Sequence, residues 1–222
     1  MEAHGTSWFA SYPPLQLGRV EVERGNFGIA AKYIGDAIAL ARGGQDAQPL
    51  ILGPCFLAQM DLLQGNPESA VGRLQALLDS DGAEKEHSTM TVAYFYAAEA
   101  YLGCGNVAEA ARLADLSIER LTEEKAVVEL PIARRVAGMV AAAGGEYDRA
   151  AGIFADVAEA ARAIKLPHAE ACALYEHGLL CARTGDRMEG QRLLEDSLKI
   201  FTRLGARPYI ERTRRALSGL FS

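Results

Sequence analysis

The chain has 222 residues, 50% hydrophobic and 23% charged, and its 23 Lys plus Arg against 29 Asp plus Glu leave a formal charge of −6. That balance excludes a disordered tail, a collagen-like fibre and a strongly basic nucleic-acid binder, and the length allows one large domain or two small ones. No apolar stretch approaches the roughly 18 residues of a membrane span. The opening Met-Glu-Ala-His-Gly-Thr-Ser lacks the basic and apolar regions of a signal peptide, so the sequence reads as cytoplasmic and without a membrane partner. Cys55, Cys104, Cys172 and Cys181 form no Cys-x-x-Cys pair and read as reduced, buried small hydrophobes.

In chain order, residues 1–11 form an N-terminal segment holding Trp8 and Phe9, and the first periodic stretch opens at Ser11-Tyr12-Pro13-Pro14. From there one pattern recurs every 40 residues, from Gly25 to Gly65, Gly105, Gly145 and Gly185. The residue after each glycine is Asn26, Asn66, Asn106, Glu146 or Asp186. Seven positions before it stands Gly18, Ala58, Ala98, Gly138 or Gly178; five after it Ala30, Ala70, Ala110, Ala150 or Gly190; nine after it Ile34, Leu74, Ala114, Phe154 or Leu194.

Apolar spacing on both sides of the glycine is helical, as in Phe95, Ala98, Tyr101 and Leu102 of the third repeat and Ala150, Ile153, Phe154 and Val157 of the fourth. Each repeat is therefore a helical hairpin, with helix A of about 14 residues before the glycine and helix B of about 17 after it. The glycine suits the left-handed end of helix A, and the Asn or Asp that follows suits the cap of helix B. Pro67 fits a first helical position, while Glu109 and Glu189 stand three residues beyond Asn106 and Asp186 as in a capping box. Gly43-Gly44-Gln45-Asp46, Asp79-Ser80-Asp81-Gly82 and Leu166-Pro167 mark joints between hairpins. A last helix near Pro208–Leu220 carries Ile210, Leu217, Leu220 and Phe221 as its apolar stripe and reads as a cap.

No hairpin of this size buries its own faces, so stability must come from stacking. The expected fold is all-α: an α-solenoid of five 40-residue helix-turn-helix repeats over residues 12–207, with a C-terminal capping helix over 208–222. Repeat one starts without a polar cap, which points to a longer array or to an oligomer formed through that end.

The columns of small residue, glycine turn, Asn or Asp, then alanine resemble the tetratricopeptide repeat (TPR) over about residues 12–211. Matching positions are Leu17, Leu57, Ala97 and Ala137, then Gly18 to Gly178, Tyr101 at the aromatic site, Ala30 to Ala150, and Ile34 to Leu194. The period exceeds the family's 34 or so residues; it also suits HEAT-type repeats, against which the glycine turn and polar cap argue. The resemblance implies a right-handed solenoid. The closing phrase from Ser197 to Pro208 is similar to the TPR region of bacterial ATP-dependent transcription regulators of the maltose-activator type, in which this region senses an inducer or partner. A phosphate-binding loop and a helix-turn-helix are both missing from the sequence, so no cofactor and no direct nucleic-acid binding are expected.

In TPR proteins the A helices line a concave face that holds extended peptides or partner helices. The residues so placed lie ten and six positions before each glycine: Leu15, Cys55, Phe95, Arg135 and Tyr175, then Arg19, Gln59, Glu99, Met139 and Leu179. Of these Arg19, Gln59, Phe95, Glu99, Arg135, Met139 and Tyr175 are the candidate binding residues, their mixed charge and aromatic character suiting a partly apolar segment with one or two charges. The bland alternative packs Phe95, Met139 and Tyr175 between hairpins. The expected function is a non-catalytic module binding a protein or peptide in a regulatory setting; the alternative is an inducer sensor whose inner wall closes around Phe95, Arg135 and Tyr175. Charge reversal at Arg19 and Arg135 is expected to weaken capture without unfolding the chain.

Other candidates read blandly. His177 and Cys181 share a helical face with Glu170 and Leu174, but His177 stands where the repeat wants an interhelical filler, so no metal is expected. His4, His87 and His168 match no ligand pattern, no nucleophile elbow appears, and Glu119, Glu123 and Glu124 are surface carboxylates. Lys199, Arg203, Arg207, Arg212, Arg214 and Arg215, set against Glu211, solvate the last helix.

Overall fold

The computed structural model describes residues 10–44, 46–80 and 88–220. Among these residues there are eleven helices and no strand: α1 (Tyr12–Arg24), α2 (Phe27–Gly44), α3 (Ala47–Leu63), α4 (Pro67–Leu78), α5 (Met90–Gly103), α6 (Val107–Glu123), α7 (Glu129–Ala143), α8 (Tyr147–Ala163), α9 (Pro167–Thr184), α10 (Arg187–Leu204) and α11 (Arg207–Gly219). Odd-numbered helices to α9 are the A helices, even-numbered ones the B helices. Helix α4 spans 12 residues, well short of the expected length for helix B. Among the described residues no helix is long and apolar enough to cross a membrane.

The in-phase glycines do what their spacing requires. Gly25, Gly65, Gly105, Gly145 and Gly185 hold φ of 75°, 81°, 77°, 85° and 103°, a region costly for any residue with a Cβ. The amide after the glycine reaches back to a helical carbonyl at 2.9 Å from Asn26 to Glu21, Asn66 to Asp61, Asn106 to Tyr101 and Glu146 to Ala141. A second turn of the same design, absent from the expected pattern, closes the B helices. Lys125, Lys165 and Gly205 have φ of 54°, 60° and 68°, with matching bonds from Ala126 to Leu121, Leu166 to Ala161 and Ala206 to Phe201. Polar capping is less uniform: Asp186 Oδ1 accepts the Glu189 amide at 3.1 Å, whereas the Asn66 side chain makes no capping bond. Asp46, at a joint, caps α3 through Gln48 and also accepts the Ser11 hydroxyl at 2.8 Å.

Close crossing of the A and B helices follows from size complementarity. A Cβ at Gly138 would stand 2.6 Å from Phe154 Cε1, one at Gly178 2.8 Å from Leu194 Cγ, and one at Gly18 2.5 Å from Ile34 Cγ1. The small residue is therefore the socket for the large residue 16 positions later, and Ile34, Leu74, Phe154 and Leu194 are buried. Each such side chain contributes about 1.5–3 kcal/mol by leaving water.

The chain divides into two compact units, Met1–Asn106 and Val107–Ser222. In the first, α1 to α5 pack in sequence, and α1 on α3 and α3 on α5 also meet, so the three A helices lie side by side. In the second, α6 to α11 pack in sequence and α7 meets α9. Helix α11 is anchored by Tyr209 and Ile210 against a cluster of Ala171, Cys172, Phe201 and Ala206, with Phe201 and Tyr209 stacked at 4.9 Å. Of its expected stripe, Leu217 and Leu220 are only half-buried and Phe221 lies outside the described residues. All four cysteines are free. Cys55 and Cys172 are buried as expected, but Cys104 is exposed because it sits at the turn after α5, where no helix covers it.

Candidate functional site

The A helices of the first unit carry a mixed wall. Arg19, Gln59 and Glu99, each six positions before its turn glycine, are half-buried on α1, α3 and α5. Arg19 Nε lies 3.4 Å from Glu23 Oε1, and its guanidinium carbon stands 5.8 Å from the centre of the Phe56 ring, within cation–π range. Phe56 meets Tyr96 edge-on at 6.3 Å, and Tyr96 tilts against Phe95 at 4.7 Å. Burial raises the Tyr96 hydroxyl above its ordinary range; Arg19 opposes, while Cys55, Glu23 and Glu99 add to the rise. At neutral pH this hydroxyl is a proton donor. Phe95, only 2% exposed, is a core side chain beneath the wall and takes the packing role.

The second unit has its own wall, and it is largely satisfied internally. Arg135 on α7 places Nη1 3.8 Å from Glu176 Oε1 on α9 and 3.0 Å from Met139 Sδ. With side chains 11% and 17% exposed, Arg135 and Glu176 form an interhelical pair rather than a solvated charge. The expectation that Arg135 tolerates reversal is thereby corrected: a glutamate there would face Glu176 with little solvent to screen the repulsion. The Arg212 guanidinium from α11 lies 5.6 Å over the Tyr175 ring, and burial raises the Tyr175 hydroxyl while Arg212 opposes.

Phe56, Tyr96 and Glu176 were not among the expected residues. They occupy the row nine positions before each glycine, one step around the helix from the row at ten, and share the face of the row at six. Glu23 stands four residues after Arg19 on the same helix, a spacing from which it could have been found, whereas Arg212 could be found only from tertiary packing.

The remaining candidates sit elsewhere. His177 is half-buried with its ring 6.4 Å from Phe154, and burial lowers its pKa. Among the described residues no group of three His, Cys, Asp or Glu could hold a metal ion. His168 packs edge-on against Tyr209 at 4.7 Å, and His4 and His87 lie outside the described residues. Lys199 pairs with Asp196 at 2.8 Å. On the face of α3 opposite Phe56 and Gln59 an open cleft of 450 Å³ is lined by Ile38, Arg42, Leu50, Pro54, Arg73 and Leu77, among others, with Arg73 Nε bonded to Asp61 Oδ2 at 3.1 Å.

No protein-family model and no curated protein matches the chain. Solved structures do. A Rap protein complexed with Competence and Sporulation Factor superposes with a TM-score of 0.73 at 14% identity, over 98% of this chain and 64% of that one. TPR-like repeats of a putative kinesin light chain from Podosopora anserina give 0.53 at 19% identity, over 90% of this chain and 96% of theirs. BtubC (BKLC) from P. vanneervenii gives 0.56 at 14% identity, over 100% and 94%. The chain thus has the all-helical fold of TPR-like repeat proteins, and it spans 64% of the length of the Rap protein.

Proposed function

We propose that the chain is a non-catalytic repeat module that binds an extended protein or peptide segment along its A-helix walls, as part of a regulatory protein of the signalling or transcription-regulator kind. The observation that carries this reading is the first wall, where a guanidinium over an aromatic ring, a tyrosine hydroxyl donor, the amide of Gln59 and the carboxylate of Glu99 lie on adjoining helices. An extended segment offers backbone donors and acceptors along its length, and such a mixed surface can answer both these and one or two charged side chains. The fold shared with a Rap protein complexed with Competence and Sporulation Factor supports it. Screening a random peptide library and titrating a selected peptide by fluorescence anisotropy tests the reading. Arg19→Glu with Glu99→Lys should leave helical circular dichroism intact and weaken binding at least about tenfold; undiminished affinity removes the wall from the site.

A second reading, the inducer sensor, is favoured by the 450 Å³ cleft rather than by Phe95, Arg135 and Tyr175, which are packed. Its volume suits a small ligand, and Arg42 and Arg73 suit an anionic group. An anionic metabolite that raises the melting midpoint with log concentration selects this reading over the first.

A further inference from the structure

The cleft beside α3 is the counterpart of a joint that the second unit seals. There Ala158 of α8, Leu174 and Cys181 of α9, and Leu193 and Ile200 of α10 belong to one apolar cluster. Three 40-residue steps back lead from these positions to Ile38, Pro54, Asp61, Arg73 and Ser80. Where the second unit packs Cys181 and Leu193 into that cluster, the first has a bond from Arg73 Nε to Asp61 Oδ2 at 3.1 Å. Held by Asp61, Arg73 does not plug the joint as Leu193 does, and Ile38, Leu50, Pro54 and Leu77 line an open volume of 450 Å³. The other repeats have Tyr33, Leu113, Ile153 and Leu193 at this position, so the base is peculiar to the second repeat.

Charge changes in the same sense. In the sealed joint Arg162 Nε lies 2.9 Å from Glu170 Oε1. Its counterpart Arg42 is kept, whereas Leu50 stands in the place of Glu170 and Ala76 in that of Asp196. Among the described residues no carboxylate pairs with Arg42. Because Arg73 is matched by Asp61, the lining carries one unmatched positive charge beside hydrocarbon walls. A planar guanidinium takes a carboxylate through two parallel hydrogen bonds. The lining runs from Arg73 to Ser80, about 10 Å at the helical rise, which fits a short apolar body.

We infer that this cleft binds a free amphipathic monocarboxylate, with its head on Arg42 and its short hydrocarbon body against Ile38, Leu50, Pro54 and Leu77. The inference rests on the inducer-sensing reading and names its ligand class. A dianionic phosphate would leave one of its charges unmatched, and a neutral apolar molecule would leave Arg42 without a counter-ion.

Isothermal titration of the full chain with octanoate is the test, with one site per chain expected. Octanamide, which keeps the body without the charge, and acetate, which keeps the charge without the body, should each bind at least about tenfold more weakly. Arg42→Gln should weaken octanoate by a similar factor. Leu50→Glu supplies the carboxylate that Glu170 gives Arg162 and should abolish binding with helical circular dichroism unchanged. Asp61→Cys with Arg73→Leu, which copies the sealed joint, should also lose binding, whereas Arg19→Glu with Glu99→Lys should keep it. Octanamide bound as tightly as octanoate, or several octanoates bound regardless of Leu50→Glu, overturns the proposal. Co-sedimentation with phosphatidylglycerol vesicles that Leu50→Glu abolishes would also overturn it, by placing a membrane lipid on Arg42. If octanoate fails but another anion raises the melting midpoint of the parent and not of Arg42→Gln, the ligand class is wrong and the sensor reading stands; if no anion does so, both fall.

Discussion

Lys125 and Lys165 hold left-handed backbone that the repeat elsewhere assigns to glycine. An L-residue in that region costs about 1–2 kcal/mol through the approach of its Cβ to the next carbonyl. Lys165→Gly relieves this while keeping the bond from the Leu166 amide to the Ala161 carbonyl. Part of the relief is offset by the greater freedom of glycine in the unfolded chain, so a net gain of about 0.5–1 kcal/mol is expected as a higher urea midpoint; a lower midpoint would show that the lysine side chain holds the turn. These two residues also mark a limit of the sequence. Residues 125, 165 and 205 are in phase, but two of the three are lysine, which carries no turn signal, so the second turn of the period stayed hidden while the glycine turns were plain. Cys104 was misjudged for a related reason, because thiol character says nothing about whether a turn is covered.

Between elements, His177 of α9 reports on the crossing with α8. Its imidazole is half-buried against Phe154, and burial lowers its pKa from the ordinary 6.5, with Arg192 acting in the same direction and Glu189 opposing. The folded chain therefore holds this proton less tightly than the unfolded chain. The contribution is complete above about pH 6.5 and is lost as the pH falls through that value toward the lower folded one. Glu109 and Glu189, lowered chiefly by hydrogen bonds from Arg112 and Arg192, lose their contributions only in a more acidic window, below the ordinary 4.5. The melting midpoint should fall as the pH drops below about 6.5, and His177→Gln should flatten that first segment alone; an unchanged slope would place the titration elsewhere. At this scale the sequence was informative about what faces inward and less so about what meets across helices. The offset from Gly138 to Phe154 was legible as a small-to-large pairing, whereas the pairing of Arg135 with Glu176 requires the distance between α7 and α9, which no spacing within one helix encodes.

For the molecule as a whole, the all-helical repeat was legible because five glycines keep one phase and their neighbours agree in size and polarity. The division after Asn106 was not, since the turn at Gly105 has the same residues and the same left-handed φ as the others. Within each unit, every well-packed pair of helices consists of next neighbours or next-but-one neighbours along the chain. Residues that must find one another are thus separated by short loops, and the entropy lost in closing them is small. The kinetic corollary is rapid renaturation: on stopped-flow dilution from urea the main phase should finish within about milliseconds, as in other chains dominated by local pairings.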